Sequence, residues 1–234
     1  SYINGEHERR ARDILGAEMP GAYISISSDI LPEIREFERT STTVVNAYLG
    51  PVLDRYLSAL SQRLQHFGYN GPMLITHSGG GVMSVEAARE IPARICQSGP
   101  AAGVMAGANL GQVTNRPNVI NLDVGGTSAD VSLARDGRPL IRSEWNINFN
   151  ITINFPSVDV ATIGAGGGSI ARVDAGGVLK VGPESAGARP GPACYRQGGE
   201  APTVTDANLV LGRLGADTKL AGRVALGLDL AQAA

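Results

Sequence analysis

This 234-residue chain has no long apolar run, no cluster of basic residues and only two cysteines. No apolar stretch approaches the roughly 20 residues that span a bilayer, and the first residues lack the basic start and apolar core of a secretory signal. Lys and Arg are scattered and the formal net charge is −2, which argues against a nucleic-acid surface and against a membrane patch. We therefore expect a cytoplasmic protein whose ligands are small molecules.

The two cysteines and the small number of aromatic and histidine side chains exclude further kinds of site. Cys96 and Cys194 lie far apart, with no CxxC motif and no histidine at metal-ligand spacing. We expect two reduced thiols, and neither a zinc site nor a disulfide framework. Phe, Trp, Tyr and His together are outnumbered by the 31 glycines. Special surfaces are thus expected to be made of backbone, around a core that the 43% hydrophobic content can supply.

A glycine-rich turn between two strand-like segments is the most informative motif. The sequence Asp-Val-Gly-Gly-Thr-Ser-Ala-Asp lies between the apolar runs 119–122 and 131–134. Adjacent glycines can expose N–H groups to an anion, the Thr-Ser pair adds hydroxyl donors, and two carboxylates can hold Mg²⁺. An ordinary hairpin is the alternative, although it needs neither the acids nor the hydroxyls. The predicted phosphate and metal ligands are Asp123, Gly125, Gly126, Thr127, Ser128 and Asp130.

The N-terminal part reads as two helices around a strand. Residues 5–17 are rich in Glu, Arg and Ala and favour an exposed helix, whereas residues 23–27 alternate with the period of a strand. A long helix is predicted from Thr42, where hydroxyls can cap it, to a stop at Gly68. Pro51 should bend this helix near its start.

A second glycine loop follows a short apolar run. Residues 73–76 predict a strand, His77 to Gly81 a glycine loop, and residues 84–90 a helix. Because the N-terminus of a helix attracts anions, Ser78, Gly79 and Gly80 are the next candidates for binding phosphate. A simple tight turn is the alternative.

Small residues dominate the next segment. Residues 98–111 favour a helix with a smooth surface, which we interpret as a buried connection between two lobes; a plain core helix has the same geometry. After the hairpin, a turn at Asp136-Gly137 and a strand over residues 140–143 would complete a three-stranded meander.

Glycine is densest between residues 164 and 199. Such density usually indicates a flexible linker, but here the glycines alternate with specific residues and with a strand-like piece at 178–181, which favours an ordered site lined by backbone. Within it, Gly166, Gly167 and Gly168 could meet nucleotide or substrate, or form only a structural turn. Thr205 or Asp206 is expected to cap a helix that runs through Leu214.

Five motifs in a fixed order resemble the central region of the hydantoinase A/5-oxoprolinase family, which includes subunits of ATP-dependent acetone and acetophenone carboxylases. The resemblance covers nearly the whole chain. The segments that carry it are 77–81, 98–104, 123–130, 162–171 and 181–208.

The resemblance implies an α/β fold of the actin-like ATPase (ribonuclease H-like) group, in which two lobes each offer a phosphate hairpin to one ATP. Residues 1–97 would end the first lobe, residues 98–112 would connect the lobes, and residues 113–234 would begin the second lobe with a glycine-rich extension. The family's first hairpin has no counterpart before Asp123. The chain is therefore expected to be a fragment that holds half of a nucleotide site.

The family's chemistry implies ATP and Mg²⁺ as cofactors. The full enzyme would phosphorylate the ring carbonyl of a cyclic amide and so make it hydrolysable, with Asp123 and Asp130 as catalytic and metal-binding groups. A subunit of an ATP-dependent ketone carboxylase, another actin-like small-molecule kinase and a non-catalytic docking module are the alternatives. A second subunit or domain is the expected partner. The roles of His7, His77 and Arg189 stay open.

Overall fold

The computed structural model describes residues 2–147, 150–215, 217, 219–220, 222 and 224–234, with the backbone alone at residue 224. The chain divides into two compact units. The first comprises Ser1–Val119 and Leu133–Asp159, and the second comprises Ile120–Ser132 and Val160–Ala234. Among the described residues, no helix has the length and apolar character needed to cross a membrane.

Helices and short strands make up the first unit. The helices are α1 (Glu6–Glu18), α2 (Ser27–Ile30), α3 (Glu36–His66), α4 (Val85–Glu90) and α5 (Ser98–Val113), with a 3₁₀ turn at Pro92–Ile95. The strands before the hairpin are β1 (Leu74–Thr76) and β2 (Val82–Ser84). The predicted helices near residues 5–17 and 98–111 are thereby confirmed as helices. The lobe-connecting role of α5 stays a prediction.

The strand predicted over residues 23–27 is wrong. Ile26 has extended backbone angles, but the segment pairs with no strand among the described residues. Instead it packs on α3, where the Asn46 amide donates to Ser25 Oγ at 3.0 Å and Gly50 leaves room for the Tyr23 ring. The alternation in the sequence thus reflects packing against a helix.

Helix α3 begins six residues earlier than predicted. The hydroxyls of Thr42 and Thr43, expected to be caps, donate to the carbonyls of Glu38 and Arg39 inside the helix, both at 2.7 Å. Such back-bonding is open to Thr within a helix. The predicted stop is confirmed, because the helix ends at His66, Phe67 is its C-cap residue, and Gly68 follows with a φ of +84°.

The glycine loop at residues 77–81 has a different setting from the predicted one. It closes the antiparallel hairpin of β1 and β2, with Ile75 opposite Met83. Helix α4 begins only afterwards, capped by Ser84 Oγ, which accepts the N–H of Ala87 at 3.2 Å. The loop therefore does not lie at the N-terminus of the helix, and that part of the prediction is wrong.

The central strands are β3 (Val119–Val124), β4 (Ala129–Arg135), β5 (Arg138–Pro139), β6 (Ile141–Arg142), β7 (Trp145–Asn146), β8 (Thr152–Ile153), β9 (Ser157–Val158) and β10 (Val160–Ile163). Four of them form one sheet in the order β10-β4-β3, with β5 also paired to β4. The others form the pairs β6-β9 and β7-β8. The turn at Asp136-Gly137 is confirmed, but the meander continues through β5 and not through residues 140–143, since β6 pairs with β9.

The second unit contains the glycine-rich region. Its later elements are β11 (Ser169–Val173), β12 (Leu179–Ser185), a 3₁₀ turn at Ala193–Tyr195, α6 (Val204–Val210), β13 (Lys219–Leu220), β14 (Val224–Ala225) and α7 (Leu228–Ala233). Cys194, Leu209, Leu226 and Ala231 form its buried apolar cluster. The predicted ordered character of the region is confirmed, and the linker alternative is wrong. Helix α6 is capped by Thr203 and ends at Val210, not at Leu214.

Candidate functional site: an acid-flanked glycine hairpin

The hairpin of β3 and β4 carries the predicted phosphate turn. Its four turn residues, 125–128, are closed by a hydrogen bond from Gly125 N–H to the Ser128 carbonyl at 2.9 Å. Asp123 is exposed near the end of β3, and Asp130 is half-buried near the start of β4. The two acids therefore flank one turn, as the sequence predicts.

The turn has unused hydrogen-bond donors. The N–H groups of Gly126, Thr127 and Ser128 have no acceptor within the part of the chain that the structure describes. Gly126 and Thr127 are exposed. Unpaired amides on an exposed turn are available to an anion.

Gly126 has no reason within the fold to be glycine. Its φ lies outside the left-handed range, and a Cβ built on it meets no atom within 4 Å. Neither backbone conformation nor packing among the described residues therefore excludes a side chain at this position. Close approach of a ligand to the backbone is a remaining physical reason for glycine.

Asp130 is oriented by the neighbouring strand. Thr162 lies directly opposite it in the pairing of β10 with β4, and the Thr162 hydroxyl donates to Asp130 Oδ1 at 2.7 Å. One carboxylate oxygen is thereby held in place, while Oδ2 accepts no hydrogen bond from the described part of the chain.

The second glycine segment packs directly on the hairpin. Gly167 N–H donates to the Gly125 carbonyl at 2.9 Å, and Gly168 N–H donates to the Gly126 carbonyl at 2.6 Å. A Cβ on Gly166 would lie 2.6 Å from the Ser128 nitrogen, so only glycine allows this approach of the two backbones. Two segments about forty residues apart in sequence therefore form one unit.

The amides of this second segment are already used. Besides the two bonds to the hairpin, Gly166 N–H donates to Ser169 Oγ at 2.8 Å. None of these three residues therefore has an unpaired N–H group to offer a nucleotide. Their predicted contact with nucleotide stays a prediction. Their observed contacts are with the turn.

The start of α6 holds the glycine segment from the other side. Thr205 donates to the Gly167 carbonyl twice, from its N–H and from its hydroxyl, both at 2.8 Å. The sequence pattern predicts Thr205 only as a helix cap, because nothing in it indicates a partner that lies 38 residues away.

Asp206 fixes this part of α6. Its buried carboxylate accepts hydrogen bonds from Thr203 N–H at 2.9 Å, from the Thr203 hydroxyl at 2.7 Å and from Cys194 N–H at 2.8 Å. Burial alone would raise the pKa of Asp206, but the hydrogen bonds from Thr203 and Cys194 outweigh it and hold the pKa below its usual value. Asp206 is thus a structural anion and not a candidate acid catalyst.

The glycine loop of the first unit uses its donors internally. Ser78 is buried; its N–H donates to the Arg94 carbonyl at 2.7 Å, and its Oγ accepts the N–H of Gln97 at 3.1 Å. Gly79 N–H donates to His77 Nδ1 at 3.1 Å, and Gly80 N–H to the His77 carbonyl at 2.9 Å. Phosphate binding by Ser78, Gly79 and Gly80 stays a prediction that these occupied groups do not support.

The remaining polar candidates acquire no catalytic geometry. Burial, together with the Arg94 charge, lowers the pKa of His77, and its ring accepts a backbone hydrogen bond. His7 and Arg189 are exposed. In the described residues, no group of three His, Cys, Asp or Glu side chains is arranged to hold a metal ion. Two carboxylates on an open turn still fit Mg²⁺, which is commonly bound by one or two carboxylates, water and substrate phosphates.

The fold and the hairpin define a mixed α/β protein with an exposed, acid-flanked glycine turn. The family model described as hydantoinase/oxoprolinase matches residues 39–234, and the chain belongs to this family. The family resemblance stated from the sequence motifs is thereby confirmed.

Three matches define the comparison, two of them to the caprolactamase from Pseudomonas jessenii. The alpha subunit of caprolactamase from Pseudomonas jessenii is 42% identical over 231 residues, which are 99% of this chain and 33% of that protein. The nucleotide-free structure of acetone carboxylase, described as ATP-dependent, matches with a TM-score of 0.80 at 34% identity, over 99% of this chain and 33% of that one. The crystal structure of the ATP-dependent caprolactamase from Pseudomonas jessenii matches with a TM-score of 0.76 at 42% identity, over 98% of this chain and 33% of that one. The chain spans about a third, 32–36%, of the length of three curated relatives that it matches.

Proposed function

We propose that the chain is part of an ATP-dependent enzyme of this family, and that its hairpin binds phosphate groups of the nucleotide. The observation that carries the proposal is the turn at residues 125–128, which combines three unpaired amides, two hydroxyls and two flanking acids. Family membership supports it, since two similar proteins of known structure are described as ATP-dependent.

In this proposal the residues of the hairpin have two roles, binding of phosphate oxygens and binding of Mg²⁺. The amides of Gly126, Thr127 and Ser128 would donate to phosphate oxygens, with the Thr127 and Ser128 hydroxyls beside them. Asp123 and Asp130 would hold Mg²⁺, which when bound neutralises phosphate charge. Catalysis of this kind depends on positioning and on charge neutralisation, so a rigid turn suits it.

The activity proposed for the whole enzyme is hydrolysis of a cyclic amide after phosphorylation of its ring carbonyl. The similarity to a caprolactamase, itself named for a cyclic amide, supports this substrate class. ATP-dependent carboxylation of a ketone is the second candidate, and the TM-score of 0.80 with acetone carboxylase favours it.

A further part of the proposal is that actin-like lobes and a partner complete the site. The hairpin would be the second of two phosphate loops, so these 234 residues alone would show little or no ATPase activity. A partner subunit or domain is supported by an exposed apolar stripe along α3, made of Val44, Tyr48, Val52 and Tyr56, each at least 59% exposed. Large exposed apolar patches commonly mark interaction surfaces.

The test is ATP hydrolysis by the full-length protein that contains this chain. Hydantoin, 5-oxoproline, caprolactam and acetone with bicarbonate are each added as potential stimulants. We expect a cyclic amide to stimulate turnover, and Asp123→Asn to lower kcat/KM for ATP by about a hundredfold.

The matched control is Asp136→Asn, because Asp136 is an exposed acid in the next turn of the same sheet and its φ of +52° suits Asn. It should stay within about twofold of the unmodified enzyme. Stimulation by none of the three cyclic amides would refute the proposed cyclic-amide hydrolysis, and stimulation by acetone with bicarbonate alone would support the second candidate instead. Equal turnover by Asp123→Asn would refute the hairpin assignment, and robust ATPase activity of the 234 residues alone would refute the half-site.

A further inference from the structure

The contact between the two glycine segments orients peptide groups as well as packing them. The carbonyls of Gly125 and Gly126 accept hydrogen bonds from the N–H groups of Gly167 and Gly168. In a planar trans peptide, the N–H of the next residue points opposite to the carbonyl, and no cis bond occurs in this turn. The N–H groups of Gly126 and Thr127 are therefore turned away from the glycine segment and toward the exposed side.

The same hydrogen bonds strengthen these donors. When a carbonyl accepts a hydrogen bond, the peptide group becomes polarised and its N–H becomes a better donor. The two N–H groups that would meet phosphate belong to the two peptide groups whose carbonyls are bonded from behind. Preorganised donors of this kind bind an anion without having to reorient.

The supporting segment is itself held by a side chain. Thr205, buried at 8% exposure, donates two hydrogen bonds of 2.8 Å to the Gly167 carbonyl. That carbonyl belongs to the peptide group whose N–H is on Gly168, the donor to Gly126. Thr205 thus acts on the turn through one peptide group, and among the described residues it makes no hydrogen bond to the predicted phosphate donors.

We infer that residues 166–168, anchored by the Thr205 hydroxyl, are a support that orients the Gly126 and Thr127 amides toward phosphate. Thr205 is accordingly a positioning residue of the nucleotide site. The inference rests on the proposed function, because it takes the ligand of the turn to be a nucleotide phosphate.

Substitutions at Thr205 test the support. Thr205→Val removes the hydroxyl while it keeps the shape and the backbone N–H, and Thr205→Ser keeps the hydroxyl. In the full-length enzyme with Mg²⁺ and ATP, we expect Thr205→Val to raise KM for ATP about fivefold, as the loss of one hydrogen bond suggests. KM for the organic substrate should not change, and Thr205→Ser should stay within about twofold of the unmodified enzyme.

A second variant tests the close approach itself. In Gly166→Ala the new Cβ would lie 2.6 Å from the Ser128 nitrogen and 2.6 Å from the Thr127 carbonyl carbon, so the two segments must move apart. KM for ATP should rise more than in Thr205→Val. The matched control for Thr205→Val is Thr43→Val, which removes a hydroxyl that also donates to a backbone carbonyl, at 2.7 Å, but lies in the first unit. It should leave KM for ATP unchanged.

The outcomes separate this inference from the proposed function. Suppose that the unmodified enzyme turns over ATP and that Asp123→Asn impairs it, but that Thr205→Val and Gly166→Ala leave KM for ATP unchanged. The inference about residues 166–168 is then refuted, while the proposed function stands. Equal rises of both KM values with a lowered Tm, or equal loss in Thr205→Ser and Thr205→Val, would also refute the inference, since these indicate a merely structural role. Absence of ATP binding by the unmodified enzyme would overturn both.

Discussion

Replacing Gly126 by alanine should separate binding from folding. A Cβ at this position meets no described atom within 4 Å, and the φ of Gly126 lies outside the left-handed range. Such a site tolerates alanine, and the loss of backbone freedom in the unfolded chain favours folding by about 0.4–1 kcal/mol where no strain results. Gly126→Ala should therefore be at least as stable as the unmodified protein.

The same methyl group should interfere with an anion. It would stand on the exposed face of the turn, next to the N–H groups of Gly126 and Thr127. A hydrogen bond to a charged group contributes about 1.5–3 kcal/mol. Losing one of them at about 2 kcal/mol corresponds to a roughly 30-fold rise in Kd for ATP.

Two measurements on each variant suffice. Thermal unfolding gives the stability, and a titration with ATP and Mg²⁺ gives Kd, both for the full-length protein. Gly16→Ala is the control, because Gly16 lies in α1 and a Cβ there also meets nothing within 4 Å. It should stabilise the protein by up to about 1 kcal/mol and leave Kd unchanged. If Gly126→Ala binds ATP as tightly as the unmodified protein, the turn is not the phosphate site.

Two further predictions concern the second unit. Asp206→Asn should lower the free energy of unfolding in urea by about 3 kcal/mol. The buried carboxylate accepts hydrogen bonds from the N–H groups of Thr203, Cys194 and Ala193, and the NH₂ group of an asparagine would face these donors with donors of its own. The pKa of Asp206 is lowered on folding, so its contribution to stability is present above the unfolded pKa and is lost as the pH falls through the folded pKa. A variant that is as stable as the unmodified protein at pH 7, and that loses stability at acid pH in the same way, would contradict this. Burial, with the Asp206 charge adding to it, raises the pKa of Cys194 to about 12, so iodoacetamide at pH 8 should modify Cys194 in denaturant only, as mass spectrometry can show. Rapid labelling in the folded protein would contradict the burial of this thiol.

Local chemistry explains what the sequence predicted well. The hairpin around Gly125 and Gly126 is defined by neighbouring residues, and so are the stop of α3 at Gly68 and the turn at Asp136-Gly137. In each case the residues that determine the conformation lie within a few positions of one another. These elements were therefore predictable without any knowledge of the tertiary structure.

Tertiary contacts explain the errors. The alternation at residues 23–27 arises from packing on α3, where the buried residues that meet this segment, Asn46 and Gly50, are not apolar. The glycine loop at 77–81 closes a hairpin because three residues after it pair with β1. The contact of residues 166–168 with the turn is made by backbone atoms, and no pattern of side chains indicates it.

The contact between the turn at residues 125–128 and residues 166–168 is made of main-chain hydrogen bonds and is anchored by one side chain, that of Thr205. The bonds between residues 125–126 and 167–168 use peptide groups alone, which every substitution retains except proline at 167 or 168. Other side chains around the turn can therefore change while the geometry of the turn is preserved. That geometry is limited chiefly by the absence of a side chain at Gly166 and by the hydroxyl of Thr205.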